Sequence, residues 1–317
     1  MINHKSKIFI AGHNGLVGSA IYRRLKQKGY SNLIIADKKK LDLRDQKKVL
    51  NFLKKKKPNF IFIAAAKVGG IFYNLKYKAD FITENLQIQT NLIHGAYLCG
   101  IKDLIFLGSS CVYPKNCKQP IKEDYLLTGK LEETNDAYAV AKIAGIKMCE
   151  SYNIQYKTNY KCLMPTNTFG PNDNYNSSHS HFLPALIKKI HQLKIKKKNI
   201  IKLWGDGKPK REIIHVDDLA DACIFFMKKR TQHFLINIGT GKDYTIEFYA
   251  KLISKIILGD KKIKITYDKS KPNGIRRKLM NVSLAKKYGW KSKIDLKSSI
   301  INTYKSFLKE EASLKKK

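Results

Sequence analysis

The chain has 317 residues, of which 43% are hydrophobic, a length sufficient for one large core or two unequal lobes. No apolar run approaches the length of a membrane span, and the first residues, Met1 to Lys5, lack the apolar segment of a signal peptide; we therefore expect a cytoplasmic protein that does not associate with a membrane. The formal net charge is +37, but the lysines form short, scattered runs without a nucleic-acid-binding motif, so we expect no nucleic-acid partner.

Six cysteines are spread along the chain without a C-x-x-C pair or the spacing of a small disulfide framework. In a chain of this size, such cysteines are typical of reduced thiols in a cytosolic protein. We predict no metal site.

A short strand followed by a glycine-rich turn comes first in the chain. Lys7 to Ala11 form a largely apolar run rich in β-formers, as in a buried parallel strand. An amphipathic helix then runs to Gly29, and this order of strand, glycine turn and helix is the one that binds a dinucleotide pyrophosphate at the helix N-terminus. The predicted cofactor-binding turn comprises Gly12, His13, Asn14, Gly15, Leu16, Val17 and Gly18.

A second strand, predicted over 33–36, ends at Asp37, with Lys38 and Lys39 behind it. An acidic residue at this position favours NAD because it can hydrogen-bond the ribose 2′-hydroxyl, whereas nearby cations suit the 2′-phosphate of NADP. The residues alone therefore leave the choice between the two cofactors open.

Strands and helices alternate along the next part of the chain. This alternation predicts an α/β fold built on a Rossmann-type doubly wound parallel sheet. Ligands bind such sheets at the carboxyl ends of the strands. The predicted strands are 60–66 and 104–107, and the predicted helices are 81–98 and 137–152.

Tyr138 and Lys142 stand four residues apart on the last of these helices, and Ser109 follows the strand before it. Residues at i and i+4 share one face of a helix, so the Lys142 ammonium can lie beside the Tyr138 phenol and lower its pKa. Beside a bound nicotinamide, a Tyr/Lys/Ser set can move a proton to or from a carbonyl oxygen. The pattern therefore predicts a nicotinamide-dependent oxidoreductase.

The later elements predict a second, smaller lobe. A late strand is expected at 236–239, with helices at 245–258 and 295–310. We expect residues 1–165 with about 214–240 to form the dinucleotide-binding lobe. The smaller C-terminal α/β substrate lobe would comprise 166–213 and 241–317.

The glycine turn, Ser109 and the Tyr138/Lys142 pair resemble those of the extended short-chain dehydrogenase/reductases. Longer stretches narrow the resemblance to the family of GDP-L-fucose synthases, which are GDP-4-keto-6-deoxy-D-mannose 3,5-epimerase-4-reductases. The similarity runs nearly end to end, from Ile8 to Trp290. The stretches that carry it are Ala64–Ile71, Leu107–Pro114, Met164–Asn167 and Ser180–Leu186.

This resemblance implies NADPH-dependent conversion of GDP-4-keto-6-deoxy-D-mannose to GDP-L-fucose, by epimerisation at C3 and C5 and then reduction at C4. It implies NADP(H) as the cofactor, a GDP-sugar as the substrate and a homodimer in which two helices from each subunit pair. The positive charge of the chain would help to recruit such an anionic substrate.

The resemblance also assigns two residues to the epimerisation. Inverting a carbon beside a ketone needs a base on one face and an acid on the other, because the carbonyl acidifies the neighbouring C–H bonds. Cys111 matches the family's base and His181 its acid. Cys111 lies two residues beyond Ser109, so on an extended segment the two side chains would face the same way. To act as a base, Cys111 needs a thiol pKa below its unperturbed value of about 8.5.

Further site residues follow from the same residue-by-residue comparison. Trp204 and Arg211 match positions that hold the GDP portion, where an aromatic ring and a forked cation are suited to a sugar surface and a phosphate. The full predicted substrate set is Lys189, Trp204, Arg211 and Asn273. Besides the glycine turn and Ser109, the predicted cofactor set is Lys38, Lys39, Leu107, Gly108, Ser110, Lys142, Pro165, Thr166, Asn167, Thr168 and His181.

At three positions the residue type differs from the one that is usual in the family. Lys189 replaces a frequent Arg, which exchanges a forked donor for a point charge. Phe169 replaces a usual Tyr and lacks its hydroxyl. Asn273 replaces a frequent Asp, and this change bears on recognition of the base or ribose rather than on the chemistry.

Other functions would require other residues at these positions. A sugar-nucleotide 4,6-dehydratase would have an Asp-Glu pair just after the serine, where this chain has Ser110 and Cys111. A plain 4-epimerase needs no Cys/His pair. A dinucleotide-binding regulator without turnover would have a broken Tyr/Lys/Ser set, and here the set is intact. These functions are the alternatives to the epimerase-reductase.

Overall fold

The computed structural model describes residues 2–176, 180–261, 263–270 and 273–314. The strands are β1 (Ile8–Ala11), β2 (Leu33–Ile34), β3 (Phe60–Ile63), β4 (Asp103–Leu107), β5 (Asn159–Pro165), β6 (Asn167–Phe169), β7 (Ile200–Trp204), β8 (Lys210–His215), β9 (Leu235–Ile238), β10 (Asp243–Thr245), β11 (Lys264–Asp268) and β12 (Arg277–Lys278). The helices are α1 (Leu16–Gln27), α2 (Gln46–Lys56), α3 (Ile71–Lys76), α4 (Lys78–Leu98), α5 (Asp136–Tyr156), α6 (Phe182–Ile195), α7 (Val216–Lys228), α8 (Ile246–Leu258), α9 (Ser283–Lys287) and α10 (Leu296–Leu314).

Six strands form a central sheet in the order β2-β1-β3-β4-β5-β9, and every pairing in it is parallel. The inner strands β1 and β3 are buried along their whole length, because helices cover both faces of the sheet. The predicted Rossmann-type α/β fold is thereby confirmed. The second strand is shorter than predicted: it pairs only with β1 at the sheet edge, and Ile35 beyond it is exposed.

Alternate residues of the central strands enter two separate hydrophobic layers, as the two-residue period of a strand requires. On one face Phe9 and Phe106 pack with residues of α2, α4 and α5. On the other face Ile10 and Phe62 pack with residues of α1 and α7. Helices α1 and α7 are also joined by ion pairs, Arg23 with Asp217 and, at 2.6 Å, Arg24 with Asp221.

The remaining strands form smaller sheets beside the central one. β8 pairs with β10, β12 and β6, and β7 pairs with β11. A third hydrophobic cluster lies between these strands and α6, α8 and α10, with Ile187, Tyr249 and Phe307 among its buried members. These strands and helices of the C-terminal half therefore form a third hydrophobic core, separate from the two layers of the central sheet.

No helix in the described ranges is long and apolar enough to cross a membrane. All six cysteines are free thiols, at 99, 111, 117, 149, 162 and 223. Cys149, Cys162 and Cys223 are buried, whereas the others are partly accessible.

Candidate active site

The glycine turn after β1 has the shape that a bound pyrophosphate requires. Gly12 has φ = +89°, and a Cβ atom added to it would lie 2.6 Å from the backbone nitrogen of Ala65. A Cβ atom on Gly18 would lie 2.1 Å from the Gly12 carbonyl oxygen. Neither position tolerates a side chain. The first N–H groups of α1, around Leu16 and Val17, are not needed inside the helix and are available to a phosphate, so the turn fits a dinucleotide.

Asp37 is held against this turn rather than standing alone after β2. The Asn14 side-chain amide donates a hydrogen bond of 2.6 Å to the Asp37 carboxylate, and His13 Nε2 lies 3.3 Å from the same oxygen. Lys38 and Lys39 are exposed directly behind it. The position predicted to select the cofactor thus combines one carboxylate, which contacts the glycine turn, with two exposed lysine side chains.

Ser109, Tyr138 and Lys142 meet at the carboxyl end of β4, as their spacing predicts. Ser109 hydrogen-bonds the Tyr138 phenol. Lys142 is only 3% exposed, and its ammonium donates a hydrogen bond of 2.8 Å to the Leu107 carbonyl. The Lys142 nitrogen lies 5.9 Å from the centre of the Tyr138 ring. The arrangement places a phenol, a hydroxyl and an ammonium around one point of the cleft.

The pKa of the Tyr138 phenol is raised, which differs from the lowering predicted from the Tyr/Lys spacing. Burial raises this pKa, the negative charge of a Cys111 thiolate raises it further, and the hydrogen bond from Ser109 acts in the opposite direction. The Lys142 ammonium is hydrogen-bonded to the backbone, and burial lowers its own pKa to about 8. Tyr138 is therefore held as a protonated phenol, the form that donates a proton.

Cys111 lies in a single 3₁₀ turn, Ser110–Val112, and not in the extended segment that was predicted. Ser109 caps this turn, because its hydroxyl oxygen accepts a hydrogen bond of 3.3 Å from the Cys111 backbone N–H. The two side chains are therefore neighbours through the cap. Their proximity does not come from two residues on the same face of a strand.

Two polar groups contact the Cys111 sulfur. The Asn135 side-chain amide lies 3.3 Å from it, and the Lys278 ammonium lies 3.4 Å from it. Burial opposes ionisation of the thiol, but the Lys278 charge and the polar contacts with Ser109, Lys278 and Asn135 lower the pKa of Cys111 below its ordinary value. The direction is the one that a thiolate base requires.

His181 occupies the N-cap position of α6. Desolvation of the imidazole by the surrounding protein lowers its pKa, and the positive charge of Lys278 lowers it further. A lowered pKa makes the His181 imidazolium a stronger acid, but it also reduces the fraction of His181 that is protonated at neutral pH. Lys278 thus acts electrostatically on both members of the predicted Cys/His pair.

The predicted cofactor residues after β5 hold the two halves of the site together. Thr166 and Asn167 both donate to the Glu212 backbone carbonyl, at 3.2 and 3.0 Å, and the Thr168 hydroxyl donates to the Thr166 carbonyl. Pro165, the last residue of β5, is paired in register with Ile238 of β9. These contacts fix β8 beside the carboxyl end of the central sheet.

Gly108 and Ser110 flank Ser109 just after β4. A Cβ atom on Gly108 would lie 2.3 Å from the Met164 sulfur, so the backbone approaches β5 closely there. Ser110 is buried and is the first residue of the 3₁₀ turn that carries Cys111. Both residues shape the backbone on which Ser109 and Cys111 sit.

Three of the predicted substrate residues lie around the end of β7. Trp204 is 57% exposed at the last position of that strand. The next turn is closed by Asn273, whose side-chain oxygen accepts a hydrogen bond of 2.8 Å from the Asp206 backbone. Lys189 of α6 donates to the Lys202 carbonyl on the same strand. An amide suffices for the Asn273 contact, because its partner is a neutral N–H.

Arg211 is the fourth predicted substrate residue, and it lies on β8. Its guanidinium donates to the carbonyl oxygens of Ile275, at 2.5 Å, and Lys210, at 2.8 Å. It also interacts electrostatically with Cys111. Arg211 therefore lies between the exposed Trp204 end and the reacting groups, which suits a phosphate of a nucleotide sugar.

Three site residues were not found from the sequence. Asn135 stands three residues before Tyr138, so the shared helix face was a signal that could have indicated it. Lys278 contacts Cys111 across 167 residues of sequence, and no local pattern marks it. The buried Glu212 accepts backbone hydrogen bonds from Thr240, at 2.6 Å, and Met280, at 2.7 Å.

Glu212 joins the substrate side to the central sheet. Burial raises its pKa to about 7, although hydrogen bonds from the backbone of Met280, Gly241 and Thr240 oppose this rise. A Cβ atom on Gly239 would lie 2.3 Å from a Glu212 carboxylate oxygen, so only glycine fits beside it. The carboxylate thereby holds the chain around Met280 against β8.

Comparison with known proteins agrees with this geometry. Residues 8–239 match the model of the NAD dependent epimerase/dehydratase family. The chain is similar to putative GDP-L-fucose synthase 2 of Arabidopsis thaliana, with 48% identity over 97% of this chain and 93% of that protein. It is also similar to GDP-L-fucose synthase of Escherichia coli (strain K12), with 45% identity over 97% of this chain and 98% of that protein.

A solved structure shares the fold over nearly the whole length. MlghC, a GDP-mannoheptose C4 reductase from Campylobacter jejuni with NADP bound, is 38% identical and has a TM-score of 0.88, covering 97% of this chain and 100% of that one. The resemblance stated from the sequence motifs is thereby confirmed. The chain belongs to the NAD dependent epimerase/dehydratase family.

Proposed function

We propose that the protein converts GDP-4-keto-6-deoxy-D-mannose to GDP-L-fucose with NADPH, by epimerisation at C3 and C5 followed by reduction at C4. The observation that carries this proposal is the juxtaposition of two sets of groups in one cleft. A protonated Tyr138 with Ser109 and Lys142 serves reduction, and a Cys111 thiol of lowered pKa serves proton abstraction. The similarity to proteins named GDP-L-fucose synthase supports the same substrate.

In the epimerisation, Cys111 and His181 act on opposite faces of the sugar. The C4 ketone acidifies the C–H bonds at C3 and C5, so a thiolate can remove each proton in turn. His181 then delivers a proton to the other face of the same carbon. The lowered pKa of the Cys111 thiol favours its role as the base.

In the reduction, the side chains of the Tyr/Lys/Ser set act on the C4 oxygen. NADPH, when bound, supplies the hydride. Tyr138 donates its proton to the oxygen, Ser109 hydrogen-bonds the oxygen and orients it, and Lys142 stabilises the resulting phenolate. Tyr138 is protonated at neutral pH, as an ordinary phenol is, and its raised pKa does not change this.

We propose that the predicted residues hold the cofactor as follows. The pyrophosphate lies at the glycine turn, from Gly12 to Gly18, where added side chains would clash. Lys38 and Lys39 hold the 2′-phosphate. The Asp37 carboxylate is engaged by Asn14 and His13, which limits its repulsion of that phosphate.

Cofactor preference tests this part of the proposal. We expect a higher kcat/KM with NADPH than with NADH. Replacing both Lys38 and Lys39 by Met should lower kcat/KM for NADPH about tenfold, equivalent to about 1.4 kcal/mol, and leave that for NADH nearly unchanged. A matched control replaces Lys55 and Lys56, two exposed lysines at the end of α2, with Met. A clear preference of the wild-type enzyme for NADH would sink the NADPH assignment.

The GDP portion is proposed to lie along the path from Trp204 to Arg211. Arg211 can hold a phosphate, since its guanidinium lies near Cys111 with its other donors fixed by backbone carbonyls. Trp204 offers an exposed aromatic surface, and Lys189 and Asn273 lie beside it. The sugar then extends from Arg211 toward Cys111.

The two lobes and the assembly also belong to this proposal. Residues 1–165 with about 214–240 would form the cofactor lobe, and 166–213 with 241–317 the substrate lobe; the separate third hydrophobic cluster supports the division.

We propose a homodimer that pairs α4 and α5 of each subunit, because Leu98, Val140 and Ile154 are exposed apolar residues on these helices. Light scattering that finds only monomers would contradict the dimer. The free cysteines support a cytoplasmic location.

The direct test is to incubate the protein with GDP-4-keto-6-deoxymannose and NADPH and to identify the sugar formed. GDP-L-fucose is the expected product. A reduced sugar with unchanged C3 and C5 would instead indicate a simple C4 reductase, the activity in the name of the Campylobacter jejuni protein. Failure to consume NADPH at all would favour a dinucleotide-binding regulator.

A further inference from the structure

Lys278 is a buried cation whose ammonium lies against a sulfur atom. Its side chain is 8% exposed, and its nitrogen lies 3.4 Å from Cys111 Sγ. In the described part of the chain, no carboxylate lies within ion-pair distance of this ammonium. A buried ammonium without a carboxylate is costly unless another anion balances it. The sulfur of Cys111 is the atom placed to carry that negative charge.

The position of Lys278 is fixed by its pairing with a neighbouring strand and by the anchoring of the two residues that follow it. It is paired in register with Arg211 where β12 meets β8. The next two backbone N–H groups are held by side chains: Leu279 donates to Gln119 at 2.8 Å, and Met280 donates to Glu212 at 2.7 Å. A strand of two residues would not be rigid alone, but these anchors prevent Lys278 from moving away from the thiol.

The other charged groups near Cys111 are already engaged. Lys115 lies 3.3 Å from Glu132, and Arg277 lies 2.6 Å from Asp243. These two cations belong to the wall of a small cavity beside the thiol, but each has its own carboxylate.

Arg211 and Tyr138 face the thiol from the other elements of the cleft. The Arg211 guanidinium interacts with Cys111 electrostatically while it donates to the carbonyls of Ile275 and Lys210. Tyr138 is a protonated phenol and carries no charge. Lys278 is therefore the cation that contacts the sulfur directly, and its charge also reaches His181.

We propose that Lys278 is the positioning residue of the epimerisation step: its ammonium holds Cys111 as the thiolate and points the sulfur into the cleft, while Asn135 fixes it from the other side. This inference rests on the proposed function. In the step it serves, the C–H bond next to the ketone breaks, the proton moves to sulfur to form S–H, and the electron pair passes to the C4 oxygen as an enolate. His181 gives a proton to the opposite face of the carbon, and the enolate returns to the ketone. Solvent then takes the proton from Cys111 and restores the one on His181.

The first test measures the ionisation of Cys111 without any substrate. Each protein is treated with iodoacetamide over a range of pH, and alkylation of the peptide that contains Cys111 is measured by mass spectrometry. In Lys278→Met the pH midpoint of this alkylation should rise by about one pH unit or more, since an adjacent opposite charge typically shifts a pKa by that amount. Lys278→Arg, which keeps the charge, should largely restore the wild-type midpoint.

Two controls separate charge from structure. Lys115→Met removes an exposed cation from the same cavity wall, and its midpoint for Cys111 should match that of the wild type. Cys99 is an internal reference in the wild-type protein, because burial raises its pKa and it should alkylate at higher pH than Cys111. This comparison needs no variant, so it can overturn the proposal even if Lys278→Met fails to fold. A Cys111 midpoint equal to or above that of Cys99 would overturn the proposal.

The second test follows solvent deuterium entering C3 and C5 of GDP-4-keto-6-deoxymannose. The acid limb of its pH–rate profile should move upward in Lys278→Met by the same amount as the alkylation midpoint. Unchanged midpoints in both measurements would overturn the role of Lys278. An alkylation shift in a protein that exchanges no deuterium into the GDP-sugar would refute the proposed function and support the thiolate assignment.

Discussion

Replacing Tyr138 with phenylalanine should nearly abolish reduction at C4 while leaving deuterium exchange at C3 and C5 intact. In the proposed reduction the phenol is the proton donor of the Tyr/Lys/Ser set, and it is protonated at neutral pH. Ser109 hydrogen-bonds the phenol and cannot supply a comparable acid. Loss of a positioned acid costs about 10²–10⁴-fold in rate, so NADPH oxidation should fall by that factor.

A control for this experiment removes a tyrosine hydroxyl elsewhere in the same lobe. Tyr30 is buried, and its hydroxyl has no hydrogen-bond partner among the residues that the structure describes. Tyr30→Phe should therefore fold and reduce its substrate like the wild type. If Tyr138→Phe lost exchange and reduction together, with normal stability, the two steps would share the phenol and the division of roles would be wrong.

The fold could be predicted from the sequence because its signals are local. The inner strands β1 and β3 are uninterrupted apolar runs, Ile8–Ala11 and Phe60–Ile63, and such runs are typical of a parallel sheet covered by helices on both faces. The glycine turn was equally visible, since Gly12 and Gly18 sit where any side chain would clash. The boundaries were less well predicted. β2 ends at Ile34 because it is an edge strand with a single neighbour.

The electrostatics of the site could not be predicted from spacing. The four-residue interval correctly placed Lys142 near Tyr138, but the sign of the Tyr138 pKa shift depends on burial and on Cys111, neither of which the interval encodes. The Lys142 ammonium is also committed to the Leu107 carbonyl. The spacing of two residues predicts whether they are neighbours, but it does not predict how far each side chain is buried.

The groups that surround Cys111 show the same limit at longer range. Lys278 reaches the thiol from a strand of only two residues, which has no periodicity to detect. The buried position of Glu212 could not be predicted either, because an acidic residue in a strand is normally exposed. Its burial is explained only by the backbone N–H groups of Thr240 and Met280, which donate to its carboxylate. Residues whose roles depend on contacts between distant segments need the folded structure.

Replacing Cys111 with alanine should have the opposite effect to Tyr138→Phe: exchange at C3 and C5 should be lost, and any sugar that is reduced should be an unepimerised GDP-6-deoxyhexose. The reason is that the thiol of Cys111 has a lowered pKa and contacts Lys278 and Asn135, whereas alanine offers no base. We expect exchange to fall about 10²–10⁴-fold. Deuterium content at each carbon and the identity of the reduced sugar are both read by NMR spectroscopy and mass spectrometry.

Cys117→Ala is the matched control, because Cys117 is a partly accessible thiol on the same loop whose pKa is raised by burial. Its exchange and its product should equal those of the wild type. Together with Tyr138→Phe, these variants divide the chemistry: one chain should exchange without reducing, and the other should reduce without epimerising. If Cys111→Ala still made GDP-L-fucose at nearly the wild-type rate, the base would be another group. The Cys111–Lys278 contact would then be a structural pairing of the cleft wall rather than part of the catalytic apparatus.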